Sequence, residues 1–334
     1  MDFRSIIGHE NIITHLKSAI TKQTISHAYL LEGEDGSGKL MLAEAFAKDL
    51  LCEDNIIVDG KKVCCNHCKA CLQVETKNHP DVVYVTHEKA SIGVEDIRSQ
   101  INSDMAIKPY SSPRKIYIIN EGEKMTVQAQ NALLKTLEEP PSYVVMILIS
   151  SNNSQILDTV KSRSTKVDFK RYTNSEILEA YTRKSSENID SRLLCEYADG
   201  IIGRALSMAS SDEYGKICDR IVDGLKELSG GSGRALCNFQ NLFVEYSEKK
   251  ELFFFTLYSI LRDISVAAAY GRKVSLQNAQ IADKIYAISD CVGYHKAVRC
   301  LEHVNKSWRM AGQNVNYKLM ADALTIRIQE VFYG

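Results

Sequence analysis

Hydrophobic positions in the first half of the chain fall into short continuous runs separated by longer amphipathic stretches. Ala28 to Leu31, His79 to Val85, Lys115 to Ile119 and Val144 to Ile149 read as strands buried on both faces. Between them the apolar period changes to that of a helix. Ile6, Ile12, Ile13, Leu16, Ala19 and Ile20 form one such stripe, and Met41 to Leu51 a second. Ile97 to Ile107 predicts a third helix, ended by Pro109 and Pro113. Thr126 to Glu138 predicts a fourth, stopped by Pro140 and Pro141. Strands alternating with helices predict an α/β domain whose parallel sheet carries helices on both faces.

From about Tyr172 onward no strand is predicted. Ser175 to Ala209 suits two or three short helices, and longer helical periods follow from about Tyr214. Phe254, Leu257, Leu261, Ile264 and Ala268 share one stripe, and Leu319, Ala323 and Ile326 another. Leu228 to Gly233, rich in Gly and Ser, reads as a loop between helices. The expected division is an α/β domain over 1–170, a small helical lid over 171–213 and an all-α domain over 214–334.

Composition narrows the picture. Hydrophobic residues make up 45% of the 334, enough for real cores. Forty-one Lys and Arg against 42 Asp and Glu leave a net charge of −1, so no global field draws the chain to nucleic acid or membrane. Met1 to Ser5 lead into no signal-peptide core, and no apolar run is expected to reach the length of a membrane span. The expected location is the cytoplasm. There, ten cysteines are better read as thiols or metal ligands than as disulfides.

The first strand runs into Gly33-Glu34-Asp35-Gly36-Ser37-Gly38-Lys39, and a helix leaves it. That is the setting of a phosphate-binding loop. Gly33, Gly36 and Gly38 let backbone N–H groups converge on phosphate oxygens beside Ser37, Lys39 reaches further along, and the helix N-terminus adds its dipole. The last position, where a hydroxyl would hold Mg²⁺, is Leu40. After the third strand an ATPase needs an Asp on Mg²⁺ and a Glu to polarise water; the chain has Asn120 and Glu121. Two Mg²⁺ contacts are therefore missing together, and Glu34 and Asp35 add negative charge. Hydrolysis by this chain is not expected. The loop either binds ATP or ADP weakly or serves only the fold.

Cys65, Cys68 and Cys71 form overlapping C-x-x-C units, and Cys52 ends the preceding helix. Four thiolates predict a closed structural zinc site in an insert over about 52–76, with Cys64 and His67 as spare ligands. Arg163, just past the fourth strand, has the placement of an arginine finger that reaches a neighbour's nucleotide. Arg204 opens a helix from which an arginine can meet a γ-phosphate. No basic patch with interleaved aromatics is evident.

Taken together these residues resemble the clamp-loader subunits of bacterial DNA polymerase III, an AAA+ family. The likeness rests on Ile25 to Leu30, the four cysteines, His79-Pro-Asp81, Ile97-Arg98, Ala129 to Pro141, Ser162-Arg163, Arg262-Asp263 and Asn316 to Leu324. Ser164 stands where the family's Ser-Arg-Cys motif has cysteine. The resemblance implies a five-membered ring that places a sliding clamp on primer–template DNA. It implies zinc on Cys52, Cys65, Cys68 and Cys71, Arg163 acting in trans, and sensor positions near Asn152 and Arg204. The C-terminal helices would form a collar with the gamma/tau and delta subunits. Leu40 and Asn120 favour a non-hydrolysing, stator-like member over an ATP-hydrolysing gamma/tau-type motor, as does the lack of a long extension past the collar. A third reading is a zinc-stabilised nucleic-acid-binding protein with a vestigial loop.

Overall fold

The computed structural model describes residues 2–58, 60–184, 189–209, 213–311 and 315–333. The chain packs as two units, one of Met1–Ala180 with Gly200–Gly203, the other of Tyr181–Asp199 with Arg204–Gly334.

The first unit begins with α1 (Glu10–Lys22), β1 (Ala28–Glu32) and α2 (Lys39–Leu51). The insert follows, with β2 (Ile56–Val58), β3 (Lys61–Val63) and α3 (Lys69–Glu75). Then come β4 (Val82–Tyr84), α4 (Val94–Ile97), β5 (Lys115–Ile119), α5 (Val127–Glu138), β6 (Val144–Ser150), α6 (Asp158–Lys161), β7 (Thr165–Asp168) and α7 (Asn174–Lys184). Five strands form a parallel sheet of order β4-β5-β6-β1-β7. The helix expected over Ile97 to Ile107 is broken: after α4 the turns widen over Arg98–Asn102 and tighten over Asp104–Ala106.

Side chains alternate across the sheet. Tyr29, Leu31, Ile118 and Ile147 pack with Leu16, Leu42 and Phe46 on one face. Leu30, Tyr117, Ile119 and Leu148 pack with Ile97, Ile101, Ala129 and Leu133 on the other. Two helical layers therefore bury both faces, which is why the central strands read as unbroken apolar runs. β7 and the antiparallel β2–β3 hairpin escape that signal. In β7 only Val167 is buried, and Thr165, Lys166 and Asp168 are the polar residues of an edge strand.

His79-Pro-Asp81 anchors β4. The buried Asp81 carboxylate accepts from the N–H groups of Tyr110 (2.5 Å) and Ser111 (2.9 Å) and from the Ser111 hydroxyl. The stretch over 110–111 that leads into β5 is thereby tied to the β4 strand.

The second unit is helical: the end of α7, α8 (Ser191–Ala198), α9 (Ile202–Ala209) from Arg204 on, α10 (Glu213–Ser229), α11 (Gly233–Glu245), α12 (Lys250–Tyr270), α13 (Ala282–Val292), α14 (Tyr294–Ala311) and α15 (Tyr317–Tyr333). One expectation fails here. Residues Ser247–Lys273, which contain α12, are long and apolar enough by length and composition to cross a membrane. The reason is local: α12 is the unit's core helix, with Phe253, Phe254, Leu257, Ile260, Leu261 and Ile264 fully buried. Gly224 on α10 lets α11 approach, since a Cβ there would lie 2.6 Å from Phe239. A buried polar knot closes the far end: Asn278 donates to Ser259 and Asp263 and accepts from the Tyr214 hydroxyl at 2.6 Å.

Candidate nucleotide site and metal centre

The glycine loop joins β1 to α2 at the carboxyl end of the sheet, beside the β1–β6 pair. Gly36 and Gly38 have φ of +82° and +86°, left-handed values that a side chain would strain. The Lys39 ammonium curls back over the loop and donates to the carbonyls of Gly33 (2.5 Å) and Glu34 (2.7 Å), with the Asp35 carboxylate at 3.9 Å. Burial pushes this lysine below its ordinary range, and Asp35, Glu123 and Glu34 pull it back up. Ser37 is buried and its hydroxyl has no partner. A buried orphan hydroxyl at the head of α2, next to free helix N–H groups, suits an anion.

The loop is strapped from outside. Arg171 pairs with the Glu34 side chain at 2.7 Å, and the Tyr172 hydroxyl donates to the Ser37 carbonyl. The Gly203 N–H donates to the Gly36 carbonyl at 2.9 Å. Next to the loop lies a cavity of about 450 Å³ lined by His9, Ile12, Asp168, Lys170, Tyr172 and Glu176. The His9 ring stands edge-on to Phe169 and Tyr172 at 4.7 and 4.6 Å, and its buried Nε2 has no partner. Burial pushes His9 below the ordinary histidine range, so it presents a neutral ring.

The positions expected to serve Mg²⁺ and water have other contacts. Leu40 is partly buried and packs against the apolar core instead of offering an oxygen. Asn120 is exposed at the end of β5. Glu121 is in a left-handed turn, ion-paired to Lys124 at 2.7 Å with His87 Nε2 at 3.5 Å, and Lys124 holds its carboxyl below the usual range. Asn152 is exposed and caps the short turn after β6 through Ser154. Sequence reasoning missed Glu123. It is gripped by the Ser151 hydroxyl and N–H and is among the carboxylates acting on Lys39. It also missed the part played by Gly203, whose backbone lies against the loop at Gly36. Arg204 belongs to the second unit and opens its longer segment.

Arg163 follows α6 and is half-buried. Its guanidinium pairs with Glu138 at the end of α5 (2.7 Å) and donates to the Thr159 carbonyl. Both partners are themselves exposed, so the arginine is oriented without being enclosed.

The sulfurs of Cys52, Cys65, Cys68 and Cys71 all lie within 4.8 Å of one another. Cys52–Cys65 is 3.6 Å, Cys52–Cys68 4.0 Å and Cys65–Cys71 4.0 Å. Metal–sulfur bonds of about 2.3 Å in a tetrahedron need sulfurs about 3.8 Å apart, so the set fits one ion with no open position. Backbone N–H groups of Cys65, Cys68 and Cys71 point at the sulfurs of Cys52, Cys65 and Cys68, a second shell that steadies thiolates. Cys64 and His67 stand apart: the Cys64 thiol donates to Asn66, and the exposed His67 ring meets the Cys65 carbonyl.

A glycine loop between the first strand and helix of a five-stranded parallel sheet, with a helical partner unit, defines a P-loop α/β protein of the AAA+ kind. Residues 8–173 match the family model described as DNA polymerase III, delta subunit. The Bacillus subtilis (strain 168) DNA polymerase III subunit delta' is 26% identical over 319 residues, covering 94% of each chain. Subunit tau of the same organism is 36% identical over 176 residues, which are 53% of this chain and only 30% of tau. Among solved structures, a gamma subunit-related protein from Thermotoga maritima is 18% identical, covering 95% of this chain and 99% of that one with a TM-score of 0.46. The chain belongs to the clamp-loader AAA+ family.

Proposed function

We propose that this chain is the delta-prime-type, stator-like subunit of a bacterial replicative clamp loader, part of DNA polymerase III, and does not itself hydrolyse ATP. The observation that carries the reading is the joint disablement of the loop: Leu40 packs into the core, Asn120 is neutral, and Glu121 is held by Lys124. A motor needs a hydroxyl at the first position, a charged carboxylate at the second and a carboxylate free to polarise water at the third. Similarity to delta' along 94% of both chains favours the same reading, whereas the match to tau covers 30% of that protein.

In this reading Gly33, Gly36, Ser37, Gly38 and Lys39 keep an anion cradle, and the His9–Tyr172 cavity takes the base of a bound nucleotide. Arg163 leaves Glu138 to meet the ATP of a neighbouring gamma/tau-type subunit. Cys52, Cys65, Cys68 and Cys71 hold structural zinc. Residues 171–213 act as a lid and 214–334 as a collar against other subunits, including delta, in a cytoplasmic ring that handles the sliding clamp and primer–template DNA.

The test is turnover. The isolated chain is expected to release no phosphate above background, with and without DNA. Hydrolysis that disappears in Lys39→Ala would overturn the reading in favour of the motor. In a loader reconstituted with its partners, Arg163→Ala is expected to assemble normally and to lower ATPase by about 10³-fold at the neighbouring site; unchanged turnover removes the finger.

A further inference from the structure

The insert is tied to the rest of the first unit at the turn that carries two of its sulfurs. Between Cys65 and Cys68, Asn66 has a left-handed backbone, with φ of +68°, and its side-chain amide is held at both ends. The amide nitrogen donates to the Asp2 carboxylate at 2.6 Å, and the amide oxygen accepts from the Cys64 thiol at 3.4 Å. Asn66 also acts through its backbone. Its N–H bears on the Cys71 sulfur, as the N–H of Cys68 bears on that of Cys65. One residue thus joins a ligand sulfur to a carboxylate 64 positions away in the chain.

Asp2 is itself fixed in place. It is buried, and its Oδ1 accepts from the N–H groups of Arg4 and Ser5 at 3.0 and 3.1 Å. Its Oδ2 accepts from the Arg4 guanidinium as well as from Asn66. The Ser5 hydroxyl closes the turn by donating to the Asp2 carbonyl at 2.6 Å. Burial alone would raise the Asp2 carboxyl, but the bonds from Asn66 and Arg4 outweigh it and hold it below the usual range. The next residue, Phe3, is buried in the apolar core that contains Leu16 and Leu31. The segment over 2–5 is therefore anchored in the core of the α/β domain and reaches from there to the insert.

We propose that Asp2 and Asn66 are positioning residues of the cysteine centre, a clasp that holds the Cys65–Cys68 turn in its metal-binding shape and slows loss of the ion. The inference rests on the reading of the four cysteines as a zinc site. Glycine makes a left-handed turn most easily and asparagine tolerates it, so what Asn66 adds over glycine is the amide. Partners behind the ligands orient them, and they matter most where little else is packed. The apolar core of the insert is little more than its cysteines, so the turn has few other supports.

The experiment uses the full chain and follows zinc passing to a chromogenic chelator, with hydrogen exchange measured alongside. Asp2→Ala and Asn66→Gly, the second of which keeps the left-handed turn, are expected to release zinc about 10–100-fold faster than wild type. Exchange over 64–71 should rise while β1, β5 and β6 stay protected. Asn66→Asp sets a second carboxylate against Asp2 and should also release zinc fast. Adding Asp2→Asn to it restores a carboxylate–amide pair with the roles exchanged, and release should return toward the wild-type rate. A segment that merely supports the fold would show no such rescue. Unchanged release in Asp2→Ala and Asn66→Gly overturns the clasp and leaves the zinc site standing, as does a double variant no slower than Asn66→Asp alone. Faster release matched by lost protection in β1, β5 and β6 overturns it too, because the segment then serves the whole domain. Wild type that holds no zinc sinks the reading of the four cysteines, and this inference with it.

Discussion

Asp81 and Lys39 show how single buried charges are used in this protein. Burial alone would raise the Asp81 carboxyl, but the N–H groups of Tyr110 and Ser111 and the Ser111 hydroxyl outweigh it and hold it below the usual range. A lowered carboxyl stabilises the fold above the unfolded value, near 3.9, and the contribution is lost as pH falls through the folded value. Asp81→Asn is therefore expected to cost about 2 kcal/mol near neutral pH. The gap between wild type and variant, followed by thermal or denaturant unfolding, should narrow as pH drops below about 4. A gap that is constant with pH would mean that the carboxylate charge is not what ties 110–111 to β4. At the same scale, the residue types were legible: Leu40 offers Mg²⁺ no oxygen and Asn120 only a neutral carbonyl oxygen. Their replacement by contact was not. Nothing in the sequence announces that Lys124 captures Glu121, or that Glu123 acts on Lys39, because both depend on how the turn after β5 is wound.

Among elements, the insert is the part whose order depends on something other than apolar burial. Its strand β2 is exposed throughout and its core is little more than the cysteines themselves. A structural ion in such a site supplies folding free energy that so small a core cannot. Removing it with a strong chelator, or replacing Cys71 with Ser, is expected to raise hydrogen exchange over 52–76 by at least about tenfold while β1, β5 and β6 stay protected. Freshly prepared protein with less than about half an equivalent of zinc would argue against the site. One polar tie resists that separation: buried Lys48 on α2 pairs with Glu75 on α3. The four clustered cysteines were singled out in the sequence, Cys65, Cys68 and Cys71 by C-x-x-C spacing and Cys52 by its place at the end of α2, whereas spacing did not set Cys64 and His67 aside. The β2–β3 hairpin and the β7 edge strand were not readable. Strands of three or four residues with polar neighbours leave no periodic signal. The helix after β4 was overestimated because its apolar residues, Ile97, Ile101 and Met105, do keep a helical spacing while the backbone departs from it.

For the molecule as a whole, the α/β half was legible because a sheet buried on both faces leaves continuous apolar strands. The helical half was legible as helices and less so in its packing. Gly224 illustrates why: mid-helix glycine looks like a weakness, but it is where Phe239 of α11 presses on α10. Gly224→Ala, although a better helix former, is expected to destabilise the helical unit by about 1–3 kcal/mol. A stabilised variant would show that the helices can part without cost.

The contact of Gly203 with Gly36 constrains what this loop can become. A Cβ at Gly203 would stand 2.7 Å from the Gly36 Cα, and one at Gly36 would meet Ile201 at 3.1 Å. At Gly203 the obstacle is the Gly36 backbone, with no flexible tip to yield, whereas at Gly36 the Ile201 side chain comes first and the Gly203 backbone next, at 3.4 Å. In a saturation library scored for folded protein, Gly203 should accept almost nothing while the loop holds its present shape. Any replacement that survives there should have drawn the segment away from the loop, and those survivors mark the shortest mutational path from a closed cradle to an open one.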